Sequence, residues 1–289
     1  MTRDTHTGER QDTSGYENCV VAFLDILGFK RAVLKSQIDP DTFKKITEAL
    51  KIVKIIPSGG KKVSTHSGIA RTIEIRSRFF SDSLAFFLKK DPEDIAHLFF
   101  IIRYLQDQLW EMGFCLRGSL VLGKMYWPRK DDKVMFGKGL IDAHSCESTS
   151  AIYPRIVVSE GLFNYIEQER IPSEPFGSST CTPLAKLILL DSDGVRFLDL
   201  LNPSVMRAVQ ETLDANGHGS TFSIRYYPPN DPCSRQRILD FIDRIIRDNK
   251  ASEDDGVKQK YAWLQAYRDA CDTCQSVLAA ARSNNIAQP

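Results

Sequence analysis

VVAFLDILGFK (Val20–Lys30) and FFSDSLAFFL (Phe79–Leu88) are two apolar runs that each carry a single aspartate, Asp25 and Asp82. Aspartate is depleted from strands, and a carboxylate buried without a partner is costly. Its presence inside runs this apolar needs a reason. One reading is that each Asp ends a strand and faces water. The other is that the two carboxylates meet at adjacent strand ends and share a divalent cation, the arrangement that metal-assisted phosphoryl or nucleotidyl transfer uses. Both stay open on these residues alone.

The rest of the chain organises around these runs. Cys19–Leu24 is apolar throughout, as a strand buried on both faces is, and Gly28 breaks it before a helix from Phe29. The helix pauses at Asp39-Pro40 and resumes over TFKKITEALKIVKII. Pro57 to Gly68 looks like a basic loop. Strands follow at Arg71–Phe80 and Ser83–Leu88, joined at Ser81-Asp82, which puts Asp82 in a hairpin turn. Pro92 opens a helix to about Met112, with acidic residues in its first turn. A strand at Phe114–Leu122, a helix at Gly137–Ser148, a strand at Arg155–Ser159 and a short helix at Gly161–Gln168 come next. The order β-α-β-β-α-β, with helices on one face, predicts an α+β fold of ferredoxin type.

Beyond it, Leu187–Leu190 and Val195–Leu198 suggest a hairpin around Ser192-Asp193-Gly194, and Pro203–Asn216 a helix ending at Asn216-Gly217. Two long helices are expected at about 234–249 and 257–283. The spacing of Ile238, Phe241, Ile242 and Ile245 fits packing on the core or a subunit interface. The division expected is a disordered segment at 1–17, a catalytic domain at 18–200 and a helical C-terminal extension at 201–289.

Composition narrows the function classes. The 289 residues carry a net charge of +1, which offers no general attraction to nucleic acid or anionic membrane. Seven cysteines, odd in number and scattered, argue for a reducing compartment. Cys271 and Cys274 form a CxxC, but without the further ligands a zinc site needs. No apolar stretch is long enough to span a membrane, and the N-terminus is polar rather than signal-like. The expectation is a cytoplasmic protein without nucleic-acid or membrane partners. No P-loop, GxGxxG or Gly-flanked nucleophile motif is present.

Four pieces in order, FLDILGF (Phe23–Phe29), FSDS (Phe80–Ser83), RGSLVLG (Arg117–Gly123) and FGKGLIDAHSCES (Phe136–Ser148), resemble the catalytic domain of class III nucleotidyl cyclases. With the helical C-terminal additions, they look most like the bacterial pyrimidine cyclases of Pycsar anti-phage defence. The resemblance covers about residues 19–159. It implies two Mg2+ or Mn2+ ions per site, held by Asp25 and Asp82 with the Ile26 carbonyl assisting. It makes Leu27-Gly28-Phe29 a triphosphate cradle and Arg117 a group reaching the β- and γ-phosphates. It also implies a homodimer. The cradle makes sense unaided, since the exposed N–H groups of a helix start attract phosphate. Gly28 is equally explained as a strand-to-helix turn, and Arg117 as a salt-bridged strand residue.

The departures bear on substrate. Where purine cyclases read the base with a lysine and an aspartate, this chain has Arg78 and Val134. A guanidinium has only donors, which suits uracil O2 and O4. Cytosine's amino group would need an acceptor that Val134 does not supply. Arg78 is otherwise explained by pairing with Glu74 or Asp82. Alignment on Ala143 and Glu147-Ser148 puts Ile141 and Ser145 where the family keeps a ribose-orienting Asn and a charge-steadying Arg. Lys138 and His144 are the substitutes within reach, each also explicable as an ordinary helix residue. The expected activity is conversion of UTP to 3′,5′-cyclic UMP and pyrophosphate, for anti-phage signalling. The alternatives are a cytidylate cyclase and a degenerate cyclase fold that binds nucleotide without turnover.

Overall fold

The computed structural model describes residues 15–54, 59–64, 70–126, 134–172, 183–202, 209–213, 220–224 and 232–285. Four antiparallel strands form its centre: β1 (Tyr16–Leu27), β3 (Ala70–Phe80), β4 (Ser83–Lys89) and β5 (Cys115–Tyr126). Their spatial order is β3-β4-β1-β5, the order of a ferredoxin-like core. Strand β2 (Gly59–Ser64) extends one edge. On the other edge, β6 (Ile156–Val158) lies parallel to β5, followed by the hairpin of β7 (Ile188–Leu190) and β8 (Arg196–Leu198). The result is an eight-stranded sheet, β2-β3-β4-β1-β5-β6-β8-β7. A separate pair joins β9 (Val209–Leu213) to β10 (Ser220–Ile224).

The two faces of β1 divide its side chains by parity. Val20, Ala22, Leu24 and Ile26 enter the main core. There they pack with α2 (Pro40–Lys54) and α3 (Pro92–Met112). Local signals set the ends of α3. Asp91 accepts hydrogen bonds from the N–H groups of Glu93 and Asp94, Pro92 opens the helix, and Gly113 closes it at φ 89°. Above α3 lies α6 (Pro232–Lys250), whose Ile238, Ile242, Ile245 and Ile246 join the same core.

Helix α7 (Asp255–Asn285) closes on the β7–β8 edge through a buried network. Arg155, at the start of β6, pairs with Asp191 and Asp193 of the β7–β8 turn, and Trp263 Nε1 donates to Asp191 at 2.7 Å. Tyr267 donates to Asp199 at 2.6 Å and accepts from the Leu201 N–H at 2.9 Å.

Four expectations need correction. Strand β1 begins at Tyr16, paired with Tyr126, rather than at Cys19. The loop expected at Pro57–Gly68 contains β2, whose polar GGKKVS pairs with β3 from Gly59–Ile75 to Ser64–Ala70. The helix expected at Pro203–Asn216 contains β9, with residues 203–208 and 214–216 outside the described residues. Helices cover both faces of the sheet, not one. Helix α4 (Lys138–Ser150) packs on the second face, where Cys19, Val21, Phe87, Val121, Met125 and Ala143 form a smaller core.

Candidate active site

Asp25 lies two residues from the end of β1, opposite Ser83 of β4 and Arg117 of β5. Directly paired residues point to one side of a sheet. Phe80, Ser83, Asp25 and Arg117 therefore form one row across four strands, and Arg78, Ala85, Phe23 and Ser119 the next. Both rows belong to the face that α4 covers. Ser119 donates to the Ala143 carbonyl at 2.6 Å, and His144 meets Phe23 edge-on at 5.1 Å. At the β3 end of the rows Phe80 is 55% exposed, so the face is closed over β5 and open beside the β3–β4 hairpin.

The turn that carries Asp82 is tied to β1. The Ile26 N–H donates to the Asp82 carbonyl at 3.3 Å, which keeps the turn beside the end of the strand. Ser81, first of the two turn residues, sits at φ 61°. Tight hairpin turns require that sign, and a non-glycine residue holds it only at a cost. Both aspartates thus come to one end of the central strands.

Gly28 follows directly, with φ 79° and ψ 9°, as the N-cap of α1 (Phe29–Ser36). A Cβ there would meet nothing within 4 Å, so the backbone conformation, not space, calls for glycine. No side chain caps the first turn of α1 and it holds no acidic residue, which leaves its N-terminal amides available to an anion. Leu27 and Phe29 are buried on either side of the turn.

Charge at the site is concentrated on Asp25. Its carboxylate accepts from Arg117 Nε at 3.1 Å and from the Ser83 hydroxyl at 3.3 Å. Arg117 Nη2 also lies 3.0 Å from Oε1 of Glu147 on α4, so one guanidinium bridges two carboxylates. Burial pushes the Asp25 carboxyl above the ordinary aspartate range. Arg117 pulls it back down, while the charges of Asp82 and Glu147 push it further up. A cation beside Asp25 would relieve the like charges that raise its protonation.

A divalent metal with hard oxygen ligands fits Asp25 and Asp82 by this donor chemistry. Among the described residues no group of three or more His, Cys, Asp or Glu is placed to hold a metal, so most of a cation's shell would come from water and substrate oxygens. The side chains of Cys271 and Cys274 lie outside the described ones.

The structure brings Asp25, Ile26, Leu27, Gly28, Phe29, Asp82 and Arg117 to one end of the sheet. Arg78 is one row away on the same face; its Nη1 donates to the Ser77 carbonyl at 2.9 Å, while Glu74 pairs with Arg76. Of the two substitutes, Lys138 pairs with Asp142, and His144 stands over Phe23. Ile141 is 69% exposed on α4. Sequence reasoning used Glu147 only to align the later motif and missed it as the second partner of Arg117. The signal was a glutamate on a weakly amphipathic helix, with its partner 30 residues away.

No family model matches the chain, and no curated protein sequence matches it. Solved structures do. A class III adenylyl cyclase-like ATP-binding protein from Pseudomonas aeruginosa aligns over 58% of this chain and 38% of its own, at 12% identity and a TM-score of 0.36. The monomeric guanylyl cyclase domain of the RhoGC fusion protein from the aquatic fungus Blastocladiella emersonii aligns over 63% of this chain and 95% of its own, at 18% identity and a TM-score of 0.35. The catalytic core of a rhodopsin-guanylyl cyclase with converted specificity, in complex with ATPαS, aligns over 73% and 97%, at 16% identity and a TM-score of 0.31.

Proposed function

We propose that this chain is a class III-type nucleotidyl cyclase that converts UTP to 3′,5′-cyclic UMP and pyrophosphate. The observation that carries the reading is the meeting of Asp25 and Asp82 beside the left-handed turn at Gly28, in the motif order Phe23–Phe29, Phe80–Ser83, Arg117–Gly123, Phe136–Ser148. Two Mg2+ or Mn2+ ions on Asp25, Asp82 and the Ile26 carbonyl would acidify the ribose 3′-hydroxyl and neutralise charge on the attacking and leaving oxygens. The hydroxyl oxygen bonds to the α-phosphorus, the bond to the β-phosphate bridging oxygen breaks, and the hydroxyl proton passes to solvent. The remaining work is positioning. The amides from Gly28 into α1 hold the triphosphate at its anionic end. Arg117 leans over the β- and γ-phosphates, and the open ledge at Arg78 and Phe80 receives the base.

Arg78 on that ledge supports a uracil preference, because a guanidinium donates to carbonyl oxygens and accepts nothing. Incubation with each nucleoside triphosphate and Mn2+ should give cyclic UMP as the main product, less cyclic CMP, and little from ATP or GTP. Arg78→Ala should erase the UTP preference, since a site built on one hydrogen-bond pattern discriminates strongly only while its donors are present. Equal rates with UTP and ATP in the parent protein refute the uracil assignment. Nucleotide binding without any cyclic product would favour the degenerate reading, which the occupancy of the Asn and Arg positions by Ile141 and Ser145 suggests.

The same resemblance makes the working form a two-fold homodimer with sites across the interface, and a role in anti-phage signalling belongs to this reading. Light scattering in the presence of UTP and Mn2+ should return twice the chain mass of 32.7 kDa. Full activity in a monomer contradicts it.

A further inference from the structure

Arg117 is shared between two carboxylates that do different things. Asp25, with 16% of its side chain exposed, lies two residues from the end of β1. Glu147, with 6% exposed, lies on the buried side of α4, where the Ser148 hydroxyl donates to its Oε2 at 3.2 Å. The Arg117 Nε–Asp25 contact is an aligned hydrogen bond. The Nη2–Glu147 contact, at 3.0 Å, is an ion pair whose N–H does not point at the oxygen. Charge rather than directed bonding therefore holds that arm, so it tolerates a rotation of the guanidinium.

We propose that Glu147 is a positioning residue that keeps Arg117 paired when Asp25 gives up its hydrogen bond to a divalent cation. The inference rests on the reading of Asp25 as a cation ligand. A cation on Asp25 competes with the guanidinium for the same oxygen and repels it. With Glu147 ionised, Arg117 has an anionic partner after Asp25 is taken, so releasing Asp25 is inexpensive. Without that charge, Asp25 is the one anion bonded to the guanidinium and is held more tightly against it. Glu147 thus acts on the cation through Arg117, not directly.

The test uses Mn2+ alone, without nucleotide, with the loss of the free-ion electron paramagnetic resonance signal as readout. Asp25→Asn should abolish binding at the site. Glu147→Gln should weaken it about tenfold, within the coupling seen between members of one ion-pair network. Glu147→Asp, which keeps the charge on a shorter arm, should bind Mn2+ more tightly than Glu147→Gln and no more tightly than the parent protein. In an Arg117→Gln background the further change Glu147→Gln should have little effect, because no guanidinium is left to hold.

An equal loss from Glu147→Gln with and without Arg117 would mean that Glu147 acts on the cation by its own field, and the inference is overturned. Unchanged Mn2+ binding in Glu147→Gln overturns it as well and leaves Asp25 as ligand standing. Undiminished binding in Asp25→Asn removes the metal reading itself, and this inference with it. Should Glu147→Gln fail to fold, Glu147→Ala, which also removes the charge, is measured in its place: Mn2+ affinity equal to the parent protein rejects the proposal.

Discussion

Asp25→Asn is expected to lower turnover by a factor of ~10³ or more, about 4 kcal/mol of transition-state stabilisation, while the protein stays folded. The two effects separate because Asp25 is not placed for stability. Burial raises its carboxyl above the ordinary range despite Arg117, so the ionised form is disfavoured in the fold. The folded-state value lies above the unfolded one, about 3.9 for an unperturbed aspartate. Ionised Asp25 therefore costs stability at neutral pH, and the cost vanishes once the pH falls below the unfolded value. Asparagine removes that cost, and Arg117 keeps Glu147 at 3.0 Å. Thermal melts should place the variant at or above the parent protein at pH 7, with the gap closing towards pH 4. A variant that melts clearly earlier at pH 7 would make Asp25 a structural strand end, the plainer of its two sequence readings. Retained cyclic UMP formation would reject the two-metal reading.

The core elements were legible because their signals are local. Asp91-Pro92 and Gly113 bracket α3 by capping chemistry, and Gly28 marks the end of β1 by a backbone conformation that glycine adopts without strain. The apolar runs around Asp25 and Asp82 named the central strands. Elements held by partners rather than by their own composition were hidden. Strand β2 is GGKKVS, with no apolar alternation, and exists through its pairing with β3. VQETL in β9 has residues that suit a helix equally well, and its pairing with β10 decides the outcome.

Helix α4 buries Gly139, Ala143 and Glu147, four residues apart along one stripe, two of them small and the third charged. No apolar periodicity announces such a face, so its covering of the second side of the sheet was not foreseen. The aspartates and Gly28 could be found from sequence because each is unusual where it stands. Glu147 could not be assigned, since an ordinary glutamate on a helix becomes a site group only when the fold sets it beside Arg117.

That covering depends on the close approach of two glycines, and Gly123→Ala should be strongly destabilising. A Cβ at Gly123 would lie 2.5 Å from the Cα of Gly139, backbone against backbone. Side-chain rotation cannot relieve such a contact, so β5 and α4 must separate. Overpacking of this kind costs about 1–3 kcal/mol, occasionally more, and a backbone clash belongs at the upper end. The shift also acts on the site. Helix α4 carries Glu147 and, through the Ala143 carbonyl, its bond to Ser119, so displacing the helix draws Glu147 away from Arg117. Gly123→Ala is therefore expected to lower the urea midpoint and also to weaken Mn2+ binding in the molecules that remain folded. Gly161 provides the opposite control. It lies in α5 (Glu160–Gln168), and a Cβ there meets nothing within 4 Å. Alanine at that position should raise stability by about 0.5–1 kcal/mol through the smaller entropy of its unfolded chain. If both substitutions shift the midpoint alike, the change reflects glycine content in general, and the close approach of α4 to β5 is not what holds the second face of the sheet.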